Sequence, residues 1–219
     1  MSKFTTIAKF RPGAPFVEAY GLLLASLTLG RNGGSPPRTI AVAAANRGTG
    51  TTTTVINLGM MMARAGRQCL LIDANWRNPA LHRAFGLPVT PGFADVIGRN
   101  KQSIEVIRVT NIPNLALIPA GKLDVPPHAL LDTQRIAAKV GELREQFEFI
   151  LLDTPAVTKF PDALTLARAV DGVLLVVPTG ATSGRAHQEA RRRLERVDAK
   201  ILGAILNRVS REEMAELSS

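Results

Sequence analysis

Cysteine is almost missing: Cys69 stands alone in 219 residues. One thiol excludes a disulfide framework and suits a reducing cytosol. Aromatics make up 5%, with one Trp and one Tyr, and none interleaves with the arginine-rich stretch 185–200. The stacking platforms of a nucleic-acid binder are therefore lacking, and no nucleic-acid partner is expected. Long apolar runs are lacking too. The longest, "GLLLASLTLG", has ten residues, about half of the ~20 that a spanning helix needs. Residues 1–13 carry no leader pattern. His82, His128 and His187 are spaced unlike metal ligands, so no histidine metal site is expected.

What remains is an ordinary globular composition, 46% hydrophobic and 21% charged, sized for one large domain. The net charge is +9. Much of the excess lies in residues 185–200, where Arg185, Arg192 and Arg196 fall near one helical face among Glu189 and Glu195. A solvated face with internal pairs is expected there. An anionic membrane surface or an acidic partner is the alternative.

Six short apolar runs, at 39–45, 69–74, 115–119, 149–154, 172–178 and 200–207, are near-continuous rather than alternating. That pattern suits strands buried on both faces. Helical spacing fills the gaps, as at Val55, Leu58 and Met62, or Leu130, Ile136, Val140 and Leu143. The alternation predicts a single α/β domain, a mostly parallel sheet with helices on both faces. A helix is expected at about 16–29, a loop over 30–38, and a second long helix entered through Pro126 and Pro127. The expected organisation is a flexible arm over 1–15, the domain over 16–210 and a tail over 211–219.

Ligands of such sheets sit beyond the carboxyl ends of the strands. After the first strand comes "AAANRGTGTTTT", residues 43–54, with the cadence of a phosphate loop: Gly48, Gly50, then hydroxyls. The second and fourth runs carry Asp73 and Asp153 at their tips. A loop of N–H groups, a hydroxyl and two acids is the set that a Mg²⁺–nucleotide requires. Taken singly, each piece has a plainer reading, a tight turn or a helix cap, and a cap is also the expectation for Asp162. Trp76 is expected to pack beside the site, and His82 to pack or cap.

Two longer stretches, "LLIDANWRNPALHRAFGLPVTPGFADVI" and "FILLDTPAVTKFPDALTLARAVDGVLLVV", resemble the second and third acidic motifs of the bacterial tyrosine kinases (BY-kinases) of capsule and exopolysaccharide synthesis. "LGAILNRV" resembles their final strand and "FVEAYGLLLASL" their N-terminal helix. The resemblance runs from about residue 12 to 209 and implies a P-loop NTPase-like fold, related to MinD and ParA. It implies phosphate binding by Arg47, Gly48, Thr49, Gly50, Thr51, Thr52, Thr53 and Arg77, and a Mg²⁺ held by Thr52, Asp73 and Asp153. Asp73 and Asp153 would be the catalytic acids if activity is retained.

The departures matter as much. Where the family loop has a lysine, this chain has Thr51; the middle acid of the second motif is Asn75; the third motif has Ala156 for a proline. Gly21 and Leu24 replace two arginines of the family's ring-assembly helix, and the C-terminal tyrosine cluster is missing, Tyr20 being the sole tyrosine. Losing one charge-assisted hydrogen bond worth ~1.5–3 kcal/mol lowers affinity ~10–150-fold. ATP, ADP and Mg²⁺ are thus expected to bind weakly or not at all. The expectation is a pseudokinase, cytoplasmic or peripheral at the inner membrane face, partnering a membrane polysaccharide co-polymerase or a cognate kinase. The alternatives are a working ATPase or kinase that uses Arg47 or a partner's residue, and a MinD/ParA-type membrane switch.

Overall fold

The computed structural model describes residues 4–29, 35–99, 101–129, 131–180, 184–210 and 213. Expectations for Met1–Lys3, residues 30–34, Leu130 and all of the 211–219 tail but Glu213 lie outside them. The strands are β1 (Thr39–Ala44), β2 (Cys69–Asp73), β3 (Arg108–Val109), β4 (Leu115–Ile118), β5 (Phe149–Asp153), β6 (Gly172–Pro178) and β7 (Ile201–Asn207). They form one sheet in the order β3-β4-β2-β5-β1-β6-β7. All neighbours pair in parallel except β3, which runs antiparallel to β4 at the edge. The six expected runs are strands to within a residue at each end. Two residues long, β3 has no apolar run to announce it.

The helices are α1 (Pro15–Thr28), α2 (Thr51–Arg64), α3 (Leu81–Ala84), α4 (Phe93–Arg99), α5 (Ser103–Val106), α6 (Thr133–Glu142), α7 (Asp162–Arg168) and α8 (Gly184–Arg196). The pleat sends alternate strand residues to opposite faces. Val42, Leu71, Leu151 and Leu174 join α1 and α2 on one side. Leu70, Ile72, Ile150 and Leu152 meet α4, α6 and α7 on the other, and Ala41 and Val173 meet α7 and α8. Both faces are covered, which is why the strands read as unbroken apolar runs.

The long helix α6 starts later than the prolines suggested. Pro127 opens a short 3₁₀ turn, and Asp132 caps α6 by accepting from the N–H groups of Gln134 (2.8 Å) and Arg135 (3.1 Å). A carboxylate able to satisfy two orphan amides wins over a proline that only fixes φ. Internal pairs do form along α8, Arg191 with Glu195 and Arg193 with Glu189.

The arm expected to be flexible is docked at Thr5 and Ile7, while residues 8–13 are exposed. Ile7 is fully buried, and its N–H donates to Oδ1 of Asn57 at 2.8 Å. The Asn57 amide in turn donates to the Thr5 carbonyl and, at 3.5 Å, to the Tyr20 hydroxyl. Asn57 sits mid-way along α2 with no exposure, a polar side chain that apolar spacing does not reveal. Asn57→Ala leaves the Ile7 amide unpaired and is expected to cost about 1–3 kcal/mol. Limited proteolysis should then cut within the first 14 residues faster than in wild type; unchanged protection there would refute the latch.

Candidate functional site

The loop between β1 and α2 is built on two left-handed glycines, Gly48 (φ +77°) and Gly50 (φ +99°). A Cβ at Gly50 would fall 2.1 Å from Nδ2 of Asn207, so a side chain there meets both a steric and a backbone barrier. Asn207 Nδ2 donates to the Thr49 carbonyl at 2.8 Å, and Arg208 donates to the Gly48 carbonyl. The end of β7 therefore braces the loop from the side. The first helical bond of α2 is Thr54 N–H to Gly50 O, which leaves the amides of Thr51, Thr52 and Thr53 at the helix N-terminus, the usual place for a phosphate. Above them opens a cleft of about 370 Å³, within the ~300–1,000 Å³ of small-ligand sites.

Its lining includes Arg47, Gly48, Gly50, Thr51, Thr52 and Thr53 from the loop, together with Asn75, Asn78, Arg83, Thr154 and Arg208. Six of the eight expected phosphate-binding residues meet here, and Thr49 lies buried just beneath. Arg77 does not join them. Its guanidinium is forked onto Asp162, Nε to Oδ2 at 2.7 Å and Nη2 to Oδ1 at 3.1 Å, and lies 4.1 Å over the ring of Phe160. Asp162 is thus no helix cap. It is the first residue of α7, fully buried, and its oxygens face Arg77. Sequence reasoning gave no role to Arg83, Asn207 or Arg208. The position of Asn207 and Arg208, at the carboxyl end of a parallel strand beside the loop, was the available signal.

Asp73 and Asp153 are register partners on adjacent strands and both are fully buried. Asp73 accepts from the amides of Asn75 (3.2 Å), Ala80 (2.9 Å) and Leu81 (3.0 Å), so it works as a backbone clasp. Burial pushes its carboxyl up to about 6, against those amides and the charge of Arg83. Asp153 accepts from the Thr52 hydroxyl at 2.6 Å, while its Oδ1 is buried with no partner. Burial, then the charge of Asp73, holds it well above the usual carboxylate range.

A hydroxyl beside a carboxylate with one oxygen unspoken for fits a hard divalent cation, so Thr52 and Asp153 would hold Mg²⁺. Such an ion, when bound, would offset phosphate charge. Asp73 has both oxygens engaged. The Thr51 hydroxyl lies 3.2 Å from that of Thr49 and supplies no charge. Among the described residues no larger cluster of His, Cys, Asp and Glu gathers to hold a metal. Trp76 packs as expected, stacked on Phe93 at 5.7 Å with its N–H on the Ala120 carbonyl. His82 does not cap: its Nδ1 is buried without a partner. Tyr20 is 8% exposed, out of reach of a phosphoryl donor.

The chain matches the AAA domain family over residues 37–200. It is 32% identical over 178 residues to the tyrosine-protein kinase CpsD of Streptococcus agalactiae serotype Ia, covering 81% of this chain and 77% of that one. Its fold superposes on that of the chimerical protein CapA2B2 with a TM-score of 0.85 at 24% identity, over 95% and 92% of the two chains. The septum site-determining protein MinD of Pyrococcus horikoshii, solved with Mg-ADP, gives 0.69 at 25% identity over 80% and 71%.

Proposed function

We propose, from the premise that this chain belongs to the bacterial tyrosine-kinase family of P-loop proteins related to MinD, that it is a non-catalytic member of that family. It would act in exopolysaccharide or capsule synthesis as a regulatory partner of a membrane polysaccharide co-polymerase or of an active kinase. The observation that carries this reading is the lining of the loop cleft, which among the described residues holds neither a lysine nor a carboxylate. Phosphoryl transfer depends on placing charge around the moving phosphoryl group and on an acid that orients the attacking hydroxyl. Here Thr51 and Asn75 stand at those places, and Asp73 is spent on backbone amides. The sole tyrosine is buried, so self-phosphorylation has no acceptor among the described residues. None of their helices is long and apolar enough to cross a membrane.

Calorimetry with Mg-ATP and a phosphate-release assay test the reading. Wild type is expected to bind weakly and release no phosphate above background. Thr51→Lys should tighten Mg-ATP ~10–150-fold without restoring turnover, since Asn75 still lacks the acid. Sub-micromolar affinity with measurable turnover in the wild type would overturn the reading.

A further inference from the structure

We infer that the cleft takes a phosphate chain, as in a nucleoside di- or triphosphate, on three arginines instead of a loop lysine: Arg47, Arg83 and Arg208. The inference rests on the reading above and says what the site still does once transfer is lost. The three come from separate elements, the loop after β1, helix α3 and the end of β7, and all line the same cleft. Among the described residues the only charged side chains of that lining are these cations, and among the described residues none of the three is paired with a carboxylate. Arg83 donates to the Pro79 carbonyl and Arg208 to the Gly48 carbonyl, while the Arg47 side chain has no partner among the described residues. A guanidinium carries five N–H donors, so each keeps a fork with which to meet phosphate oxygens. Arg77, by contrast, has its fork filled by Asp162.

Bidentate guanidinium–phosphate contacts are among the strong charge-assisted hydrogen bonds. With the amides of α2 and the turn around Gly48 and Gly50 they make an anion cradle whose charge is supplied from its walls. That placement separates holding from transferring. Cations on three sides neutralise a phosphate chain, yet none stands at the loop position from which the lysine would follow the moving phosphoryl group. Neutralisation by arginine also makes a divalent cation secondary: chelating magnesium should weaken binding less than removing one arginine does.

The test is calorimetry of the purified chain with ADP, inorganic pyrophosphate and adenosine, each in Mg²⁺ and in EDTA. The variants are Arg47→Gln, Arg83→Gln and Arg208→Gln, with Arg64→Gln at the far end of α2 as control. All four side chains are exposed; Arg208→Gln also gives up its bond to the Gly48 carbonyl, so a melting curve of each variant separates lost ligand contacts from a loosened loop. ADP and pyrophosphate are expected to bind, and adenosine not. Arg83→Gln and Arg208→Gln should each lower affinity ~10–150-fold or to below detection, with the control unchanged and EDTA costing less. Variants that bind ADP within about twofold of wild type overturn the inference, as does adenosine binding as well as ADP, or no binding of either phosphate compound. Those results leave the non-catalytic reading standing. Turnover by the wild type, with affinity still lost in the arginine variants, would do the reverse.

Discussion

Replacing Arg77 with alanine is expected to destabilise the protein by about 3–5 kcal/mol, because it strands the Asp162 carboxylate in the interior. Asp162 is fully buried, whereas the Arg77 side chain is 28% exposed. The two ends of this pair are therefore unequal. Removing the arginine leaves a buried charge supported only by the first turn of α7, whose dipole contributes ~0.3–1 kcal/mol. Removing the acid instead leaves a cation that can turn to water. Asp162→Asn should accordingly cost less, about 1–3 kcal/mol, and the double variant Arg77→Leu/Asp162→Leu should recover part of the loss. Urea unfolding of the four proteins measures these differences, and Arg77→Ala/Asp162→Asn as a fifth closes the double-mutant cycle. If Arg77→Ala and Asp162→Asn cost the same, the asymmetry of burial is not what sets the energy.

The pair has a consequence for the site. Arg77 lies in the segment that carries Asn75 and Asn78 into the cleft, and its bond to Asp162 spans 85 residues. It anchors that segment to α7 and acts on the cleft through its neighbours. A reading that gives Arg77 to phosphate foresees loss of ligand affinity as the chief defect of Arg77→Ala; the geometry foresees loss of stability.

The sheet was legible because burial on both faces writes itself as unbroken apolar runs, and the loop was legible because glycine spacing and strand-end acids have few other uses. Asp162 and Arg77 were misassigned for a shared reason. Each has a common local role, a cap and a motif arginine, and only the folded chain shows that their forks face each other. Asn57 went unnoticed because its partner is a backbone amide 50 residues away. Arg83 and Arg208 carry no local signal, and their convergence depends on the strand order, in which β6 alone separates β7 from β1. Local chemistry is written in the sequence. Long-range pairing of polar groups is written in the topology.

Asp153→Asn is expected to stabilise the protein at pH 8 by on the order of 2 kcal/mol. Both strand-tip carboxyls are raised in the folded chain, Asp73 to about 6 and Asp153 well above its ordinary value. A raised carboxyl favours the folded state while protonated, and that advantage disappears as pH rises through the folded value. Wild type should therefore lose stability between about pH 4 and the high folded values of the two acids, with the full desolvation cost in place above them. An amide at 153 keeps an oxygen for the Thr52 hydroxyl and brings no charge beside Asp73, so the slope should flatten and stability at pH 8 should rise. Asp73→Asn should have the opposite sign. Asp73 accepts three backbone amides on two oxygens, and an asparagine presents only one oxygen, which leaves N–H groups of the 75–81 segment unpaired at a cost of about 1–3 kcal/mol. Denaturant midpoints at pH 5 and pH 8 distinguish the two. A loss of stability from Asp153→Asn that is equal at both pH values would mean that the buried acid supports the fold, and its burial beside Thr52 would no longer mark it as half of a cation site.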